Sequence, residues 1–279
     1  MSILTNKIKG TAIVLIALVR PELAPKVVFF HDIGRNWTQM GTPANVFWRH
    51  MKLLREGDIV CFDDGFRGIW DEREKLKVVS SKFKVIVFIA IALVGKPGYL
   101  TWDEIGELQA NYGIEFQSHT WSHQTLVGPY NDEVPEPANG RSEEWYHHEL
   151  VDSKSELERQ LGKKVTALSF PVGYFSDDVI RRCKEAGYEK VYASYPGNVT
   201  DDYIQPRCIA QDLSPIAFRA ALNGGMMIFE KRYKALHTFP SENIGPKFSL
   251  DNIRPILCAS PQFPSPFPTE NIGRTQILT

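Results

Sequence analysis

An α/β fold with parallel strands wrapped by helices is what this sequence predicts, and three observations point to it. From Lys26 to Gly224, short apolar runs of strand length alternate with longer helical segments. Two motifs rich in carboxylates and imidazoles each follow an apolar run that reads as a strand, at 57–62 and 113–116, and the carboxyl ends of strands are where α/β proteins assemble their sites. The composition, 43% hydrophobic and 23% charged over 279 residues, suffices to bury one substantial core in a single large domain.

Taken in order, residues 1–25 carry Lys7 and Lys9 ahead of an apolar run at 11–19, then Arg20-Pro21. This resembles the basic and hydrophobic parts of a signal peptide, but the run is short and no Ala-x-Ala site follows, so an extra strand reads equally well. The compartment, cytoplasm or cell envelope, stays open. The run is too short to span a bilayer, which takes about 20 apolar residues. The domain proper occupies 26–240. It opens with strand 27–31, a helix over 43–56, strand 59–62 and a buried-looking strand 84–92. A helix over 101–110, strand 113–116, a helix over 141–161 and strand 165–170 follow, then a helix over 176–186 and shorter strands at 191–194 and 208–211. The Pro-, Gly- and acid-rich stretch 128–142 reads as a loop lining a substrate groove. Residues 241–279 are proline-rich without periodicity, an irregular appendage.

The formal net charge of −1 gives no electrostatic footprint for nucleic acid. A neutral glycan needs none; it needs aromatic platforms, and Trp37, Trp70, Tyr99, Trp102, Trp121, Tyr174 and Tyr195 fall near expected loops. Most aromatics serve cores, so only Trp121 and Tyr174, which sit inside motifs, stand out. Four cysteines without close spacing indicate neither a zinc ribbon nor a thioredoxin-type pair, and Cys61 reads as a small buried hydrophobe. Oligomeric state is not legible.

The first motif is Cys61-Phe62-Asp63-Asp64-Gly65-Phe66, and the second is His119-Thr120-Trp121-Ser122-His123. Taken as helical, the second puts both imidazoles on one face, one turn apart, within reach of a single ion. Two imidazoles and one carboxylate make a three-ligand site with room for water, the arrangement of a catalytic metal rather than a structural one. The remaining aspartate is then free to take a proton from that water. By itself an Asp-Asp-Gly is a solvated turn, and a lone His-x-x-x-His is often chance. Their shared position after strands favours a metal-dependent hydrolase.

The same residues resemble the polysaccharide deacetylases, carbohydrate esterases that include the nodulation-type chitooligosaccharide deacetylases. A strand ending Phe62-Asp63-Asp64-Gly65 and a later one ending Ser118-His119-Thr120 with His123 beyond is that family's signature. Tyr99-Leu100-Thr101-Trp102-Asp103-Glu104-Ile105, Ser169-Phe170-Pro171-Val172-Gly173-Tyr174, Ala186-Gly187-Tyr188 and Gln205-Pro206-Arg207-Cys208-Ile209 resemble its other motifs. The resemblance implies a distorted (β/α) barrel, often seven-stranded. It implies Asp64, His119 and His123 as ligands of a divalent metal, zinc in first place and cobalt, nickel or iron otherwise. Asp63 becomes the general base, and a histidine across the site protonates the departing amine.

That histidine distinguishes subgroups. His31, ending the apolar run 27–30, is similar to the early histidine of poly-N-acetylglucosamine deacetylases and is the expected acid. His237, in Leu236-His237-Thr238, fits the late pattern of other members by its letters and reads as an exposed loop residue. His50, His147 and His148 fall in expected helices without partner spacing. Two positions depart from the family: Ser169 stands where most members have arginine, and Val172 where most have tyrosine. The arginine normally keeps the base ionised, since a neighbouring cation lowers a carboxylate by roughly 1–3 pKa units. Asp63 therefore needs another partner, and Arg207 is the candidate. The tyrosine contributes mainly a backbone N–H to the oxyanion, which valine retains. Pro171, Val172, Gly173, Tyr174 and Trp121 are expected to orient substrate or oxyanion.

The expected function is metal-dependent hydrolysis of N-acetyl groups from an N-acetylglucosamine-containing polysaccharide or oligosaccharide, releasing acetate. An O-acetyl esterase acting on xylan or another acetylated glycan would use the same site. A carbohydrate-binding homologue without turnover is the alternative of a different class. The intact Asp63, Asp64, His119 and His123 argue against it, and Ser169 argues mildly for it.

Overall fold

The computed structural model describes residues 24–34, 40–128, 141–211 and 213–226, together with the short strand Thr238–Phe239. The signal-like run, Trp37, most of the 128–142 loop, His237 and the tail from 241 lie outside the described residues.

Eight parallel segments form the main sheet: β1 (Val27–Phe30), β2 (Ile59–Phe62), β3 (Lys84–Ile89), β4 (Glu115–Ser118), β5 (Ala167–Ser169), β6 (Lys190–Ala193), β7 (Ile204–Pro206) and β8 (Cys208–Ile209). Their spatial order is β7-β6-β5-β4-β3-β2-β1-β8. The two ends of that order, β7 and β8, are separated along the chain only by Arg207. One stretch thus pairs with β6 on one side and β1 on the other, which closes the sheet into a distorted (β/α) barrel. Eight segments replace the seven predicted strands because this closing strand is broken at Arg207.

Strands covered on both faces read as near-continuous apolar runs, yet their side chains still alternate. Val27, Phe29, Cys61, Ile86, Phe88 and Tyr192 cluster inside the barrel. Val28, Phe30, Val60, Phe62 and Val87 join the larger core beneath the helices. The alternation positions the site. His31, Asp63, His119, Ser169 and Arg207 stand two residues beyond Phe29, Cys61, Gln117, Ala167 and Gln205 and so continue the inward row to the carboxyl rim.

Caps set several helix starts. Thr101 Oγ1 accepts the Glu104 N–H at 3.3 Å and Glu104 Oε2 accepts the Thr101 N–H at 2.9 Å, ahead of Trp102–Asn111. Ser176 and Ser214 cap Asp177–Glu185 and Pro215–Leu222. The helix predicted over 43–56 is shorter, Ala44–Met51. The one predicted over 141–161 is Glu143–His147 and Ser153–Leu161 joined by a π turn, His148–Asp152. The helix Arg73–Ser80 escapes sequence reading because it buries only Leu76 and Val79. Among the described residues, no helix is long and apolar enough to cross a membrane.

Candidate active site

Beyond β2 the two aspartates turn apart. The Asp63 N–H donates to the Phe30 carbonyl at 3.0 Å, extending the strand, whereas Asp64 takes a left-handed backbone (φ 69°) and Gly65 another (φ 81°). Glycine suits position 65, because its left-handed backbone strains any larger residue and a Cβ there would also push on Ile89 Cδ1 at 2.7 Å. The carboxylates are buried, at 3% and 4% exposure, and a buried charge requires a partner.

Asp63 finds Arg207. Nη1 donates to Oδ1 at 2.7 Å and Nη2 to Oδ2 at 2.9 Å, a bidentate pair. The guanidinium carbon lies 4.3 Å from the centre of the Phe29 ring, inside the barrel. Burial alone would raise the Asp63 carboxyl; Arg207 outweighs it, aided by His119 and His31, and holds the group below its ordinary range. Ser169 contributes a hydroxyl 3.5 Å from Asp63 Oδ2.

Asp64 finds two imidazoles. Its Oδ1 lies 3.2 Å from His119 Nε2 and 2.9 Å from His123 Nε2. The helix expected across these histidines is absent: residues 119–128 form a loop, left-handed at Thr120 (φ 68°) and His123 (φ 66°). That reversal, rather than a helical turn, brings the two rings to 4.9 Å between centroids. The loop wins over a helix because its backbone groups are satisfied from elsewhere. The Trp121 and Ser122 N–H groups donate to Glu149 Oε2 at 3.0 and 2.9 Å, and the Thr120 and Trp121 carbonyls accept from Ile91 and Ala92 at 3.3 and 2.8 Å. His119 Nδ1 donates to the Ser169 carbonyl at 2.8 Å, which turns Nε2 towards Asp64.

The chain's own donors fit a divalent metal. The ligand atoms of Asp64, His119 and His123 lie within 4.8 Å of one another, and Asp64 Oδ1 is buried yet accepts no hydrogen bond despite the nearby nitrogens. Two imidazole nitrogens and one carboxylate oxygen that converge in this way make a three-ligand set of the open kind.

Across the rim, His31 Nδ1 donates to Gln211 Oε1 at 2.5 Å, and the Gln211 carbonyl accepts from Thr42 Oγ1 at 2.9 Å. Asp32 Oδ1 accepts the Ile33 and Gly68 N–H groups at 2.9 and 3.0 Å, tying this strand end to the segment after the aspartates. In the third motif, Pro171–Gly173 forms a tight turn in which Val172 is left-handed (φ 60°) and 44% exposed, while Pro171 and Gly173 are buried. Tyr174 departs from expectation: its ring is buried in the core at 6% exposure, so it is no platform. Trp121 is half-buried, 4.3 Å from the His148 ring. Sequence reasoning misses Glu149 and Gln211. The first stands four residues before Ser153 and eight before Leu157, on a helical stripe that is buried throughout, which is an odd face for a carboxylate.

A closed parallel barrel whose rim gathers paired aspartates, two histidines and a buried arginine defines a (β/α) barrel protein with a candidate ion site. Residues 59–191 match the family model described as polysaccharide deacetylase. YxkH of Bacillus subtilis (strain 168), whose name puts it among polysaccharide deacetylases, is 25% identical over 185 residues, covering 66% of this chain; the chain spans only 61% of that relative. Among solved structures, BC0361, a polysaccharide deacetylase from Bacillus cereus, is similar with a TM-score of 0.59 at 21% identity, over 71% of this chain and 69% of that one. The Streptococcus pyogenes deacetylase PplD, in complex with acetate, gives 0.59 at 17% identity over 72% and 99%. IcaB from Ammonifex degensii gives 0.58 at 15% over 74% and 98%. These likenesses show the barrel fold.

Proposed function

We propose that this chain hydrolyses N-acetyl groups of an N-acetylglucosamine-containing glycan and releases acetate. The observation that carries the reading is the division of labour between two adjacent buried carboxylates, Asp64 converging with His119 and His123, and Asp63 paired to Arg207 beside them. A divalent ion held by Asp64, His119 and His123, zinc being the first choice, would supply Lewis-acid polarisation of the acetyl carbonyl and a more acidic water.

The remaining roles fall to the chain's own groups. Asp63, kept ionised by Arg207, accepts the proton of the attacking water. His31, its Nδ1 tied to Gln211, presents Nε2 to the leaving nitrogen and donates the proton that lets the amine depart. The Val172 N–H, in the exposed turn Pro171–Gly173, faces the charge that develops on the acetyl oxygen, and Gly173 and Tyr174 brace that turn. Trp121 offers a partly exposed ring to a sugar face. An early histidine acid is the poly-N-acetylglucosamine deacetylase arrangement, and it favours that substrate class.

The test is acetate release from N-acetylglucosamine oligomers, before and after chelation, with zinc or cobalt restored. Release that stops with chelator and returns with metal is the expected result. Release from acetylated xylan alone would make the chain an O-acetyl esterase. Glycan binding without acetate from either substrate would make it a binding protein.

A further inference from the structure

We propose that Glu149 is the positioning residue of the ion site, holding the loop between His119 and His123 in the one shape that brings both Nε2 atoms to Asp64. The inference rests on the reading of Asp64, His119 and His123 as the ion-holding set. Glu149 is 1% exposed, and its Oε2 accepts two consecutive amides, from Trp121 at 3.0 Å and Ser122 at 2.9 Å. Those amides belong to a loop that is left-handed at Thr120 and at His123, a backbone that side-chain-bearing residues adopt only when their surroundings impose it.

The loop amides on either side of this pair are satisfied locally. Thr120 N–H donates to Ser118 Oγ at 3.2 Å, and His123 N–H to Thr120 Oγ1 at 3.3 Å. Among the described residues, Glu149 is thus the side chain that ties the loop amides to a distant element. A carboxylate accepting two N–H groups is a strong and directional clamp. The π turn His148–Asp152 serves this geometry. It sets Glu149 beneath the amides and His148 against the Trp121 ring at 4.3 Å, and Ser153 Oγ donates to the Glu149 carbonyl at 2.5 Å. Outer partners of this kind typically contribute about 10–100-fold to metal affinity.

The experiment is zinc affinity by chelator competition for the full chain and for its E149A, E149Q and H123A variants, with circular dichroism and melting to establish folding. E149A is expected to bind zinc about 10–100-fold more weakly. E149Q, whose amide oxygen still accepts both N–H groups, should lose less, and turnover of both should recover at saturating zinc. Parent affinity in a folded E149A overturns the proposal. If E149A does not fold, Glu149→Asp carries the test: it keeps the charge but withdraws the oxygen by one methylene, and unchanged affinity there overturns it too. Equal zinc binding by parent and H123A would sink the ion-site reading itself. Loss in H123A with parent affinity in E149A would sink this inference alone.

Discussion

Along the barrel wall, β1 to β4 run extended and pair in register from Val27 beside Ile59 to Ile89 beside Ser118, with apolar side chains on both faces of β1 to β3. The rim above them differs in kind. Among the described residues, all four non-glycine positions with left-handed backbone, Asp64, Thr120, His123 and Val172, lie in the three motif loops of the rim. The paired charges Asp63 and Arg207 and the convergent Asp64 gather at the same end. Each left-handed residue costs about 1–2 kcal/mol, which the wall must offset by burial. Stability and chemistry therefore reside in different residues, and substitutions should separate them.

The largest expected effect lies wholly at the rim. His31→Ala should lower amide hydrolysis about 10²–10⁴-fold while the unfolding midpoint barely moves, because among the described residues the ring meets the wall through Gln211 and an edge contact with Phe29. Turnover of an O-acetyl ester should fall far less, since an alkoxide departs without full protonation. Equal survival of amide and ester hydrolysis would remove His31 from the acid role.

Arg207 tests the boundary, because a side chain set between the two segments of the closing strand holds the rim carboxylate Asp63. Arg207→Met leaves the Asp63 charge buried and unpaired, and breaking a buried pair costs about 3–5 kcal/mol, readable by urea denaturation. Turnover should fall with it. Adding Asp63→Asn to R207M should restore much of the stability and none of the turnover. Unchanged stability in R207M would mean that the pair serves chemistry alone and that the rim is more independent of the wall than its burial suggests.

The wall was legible in the sequence because strand-length apolar runs and glycine-bounded turns are local signals. Ile59–Phe62 reads off directly, and the phase of Cys61 and Asp63 alone puts the carboxylate inside. The closure at Arg207 was not legible: nothing local says that one strand serves two neighbours. The rim was legible as residue types and not as geometry. His119 and His123 were readable as a pair, but a spacing of four is shared by a helix and by a loop with two left-handed residues, and a remote carboxylate, Glu149, satisfies the amides that allow the loop. Tyr174 misleads for the complementary reason, since membership of a motif does not reveal which way a ring points.

A wall prediction of intermediate size concerns His50, buried in Ala44–Met51 and stacked 4.2 Å from the Phe218 ring of Pro215–Leu222. Burial pushes this imidazole down to about 4, against an ordinary 6.5. The unfolded chain therefore binds a proton that the folded chain refuses, and stability is lost as pH falls from 6.5 towards 4, by as much as about 3 kcal/mol. His50→Leu should flatten that decline in melts run across this window while leaving turnover at neutral pH intact. An unaltered decline would assign acid sensitivity to other groups, and a loss of turnover would show the rim reading the packing of the wall.

The smallest effect goes to the rim's own strain. Val172 combines a β-branched side chain with φ 60° and 44% exposure, so it contributes little packing to offset its backbone. Asparagine tolerates the left-handed region far better, and Val172→Asn should raise stability by about 1 kcal/mol, or about 3 °C in melting temperature. Because the turn keeps its shape, the residue-172 N–H keeps its direction, and turnover should hold. A gain in stability with turnover held would mean that the rim tolerates strain for the sake of backbone direction alone. A gain with turnover lost would mean that the exposed isopropyl group touches the glycan, making Val172 a contact as well as a turn. A fall in stability would break the contrast itself, because left-handed backbone would then not be what distinguishes rim from wall.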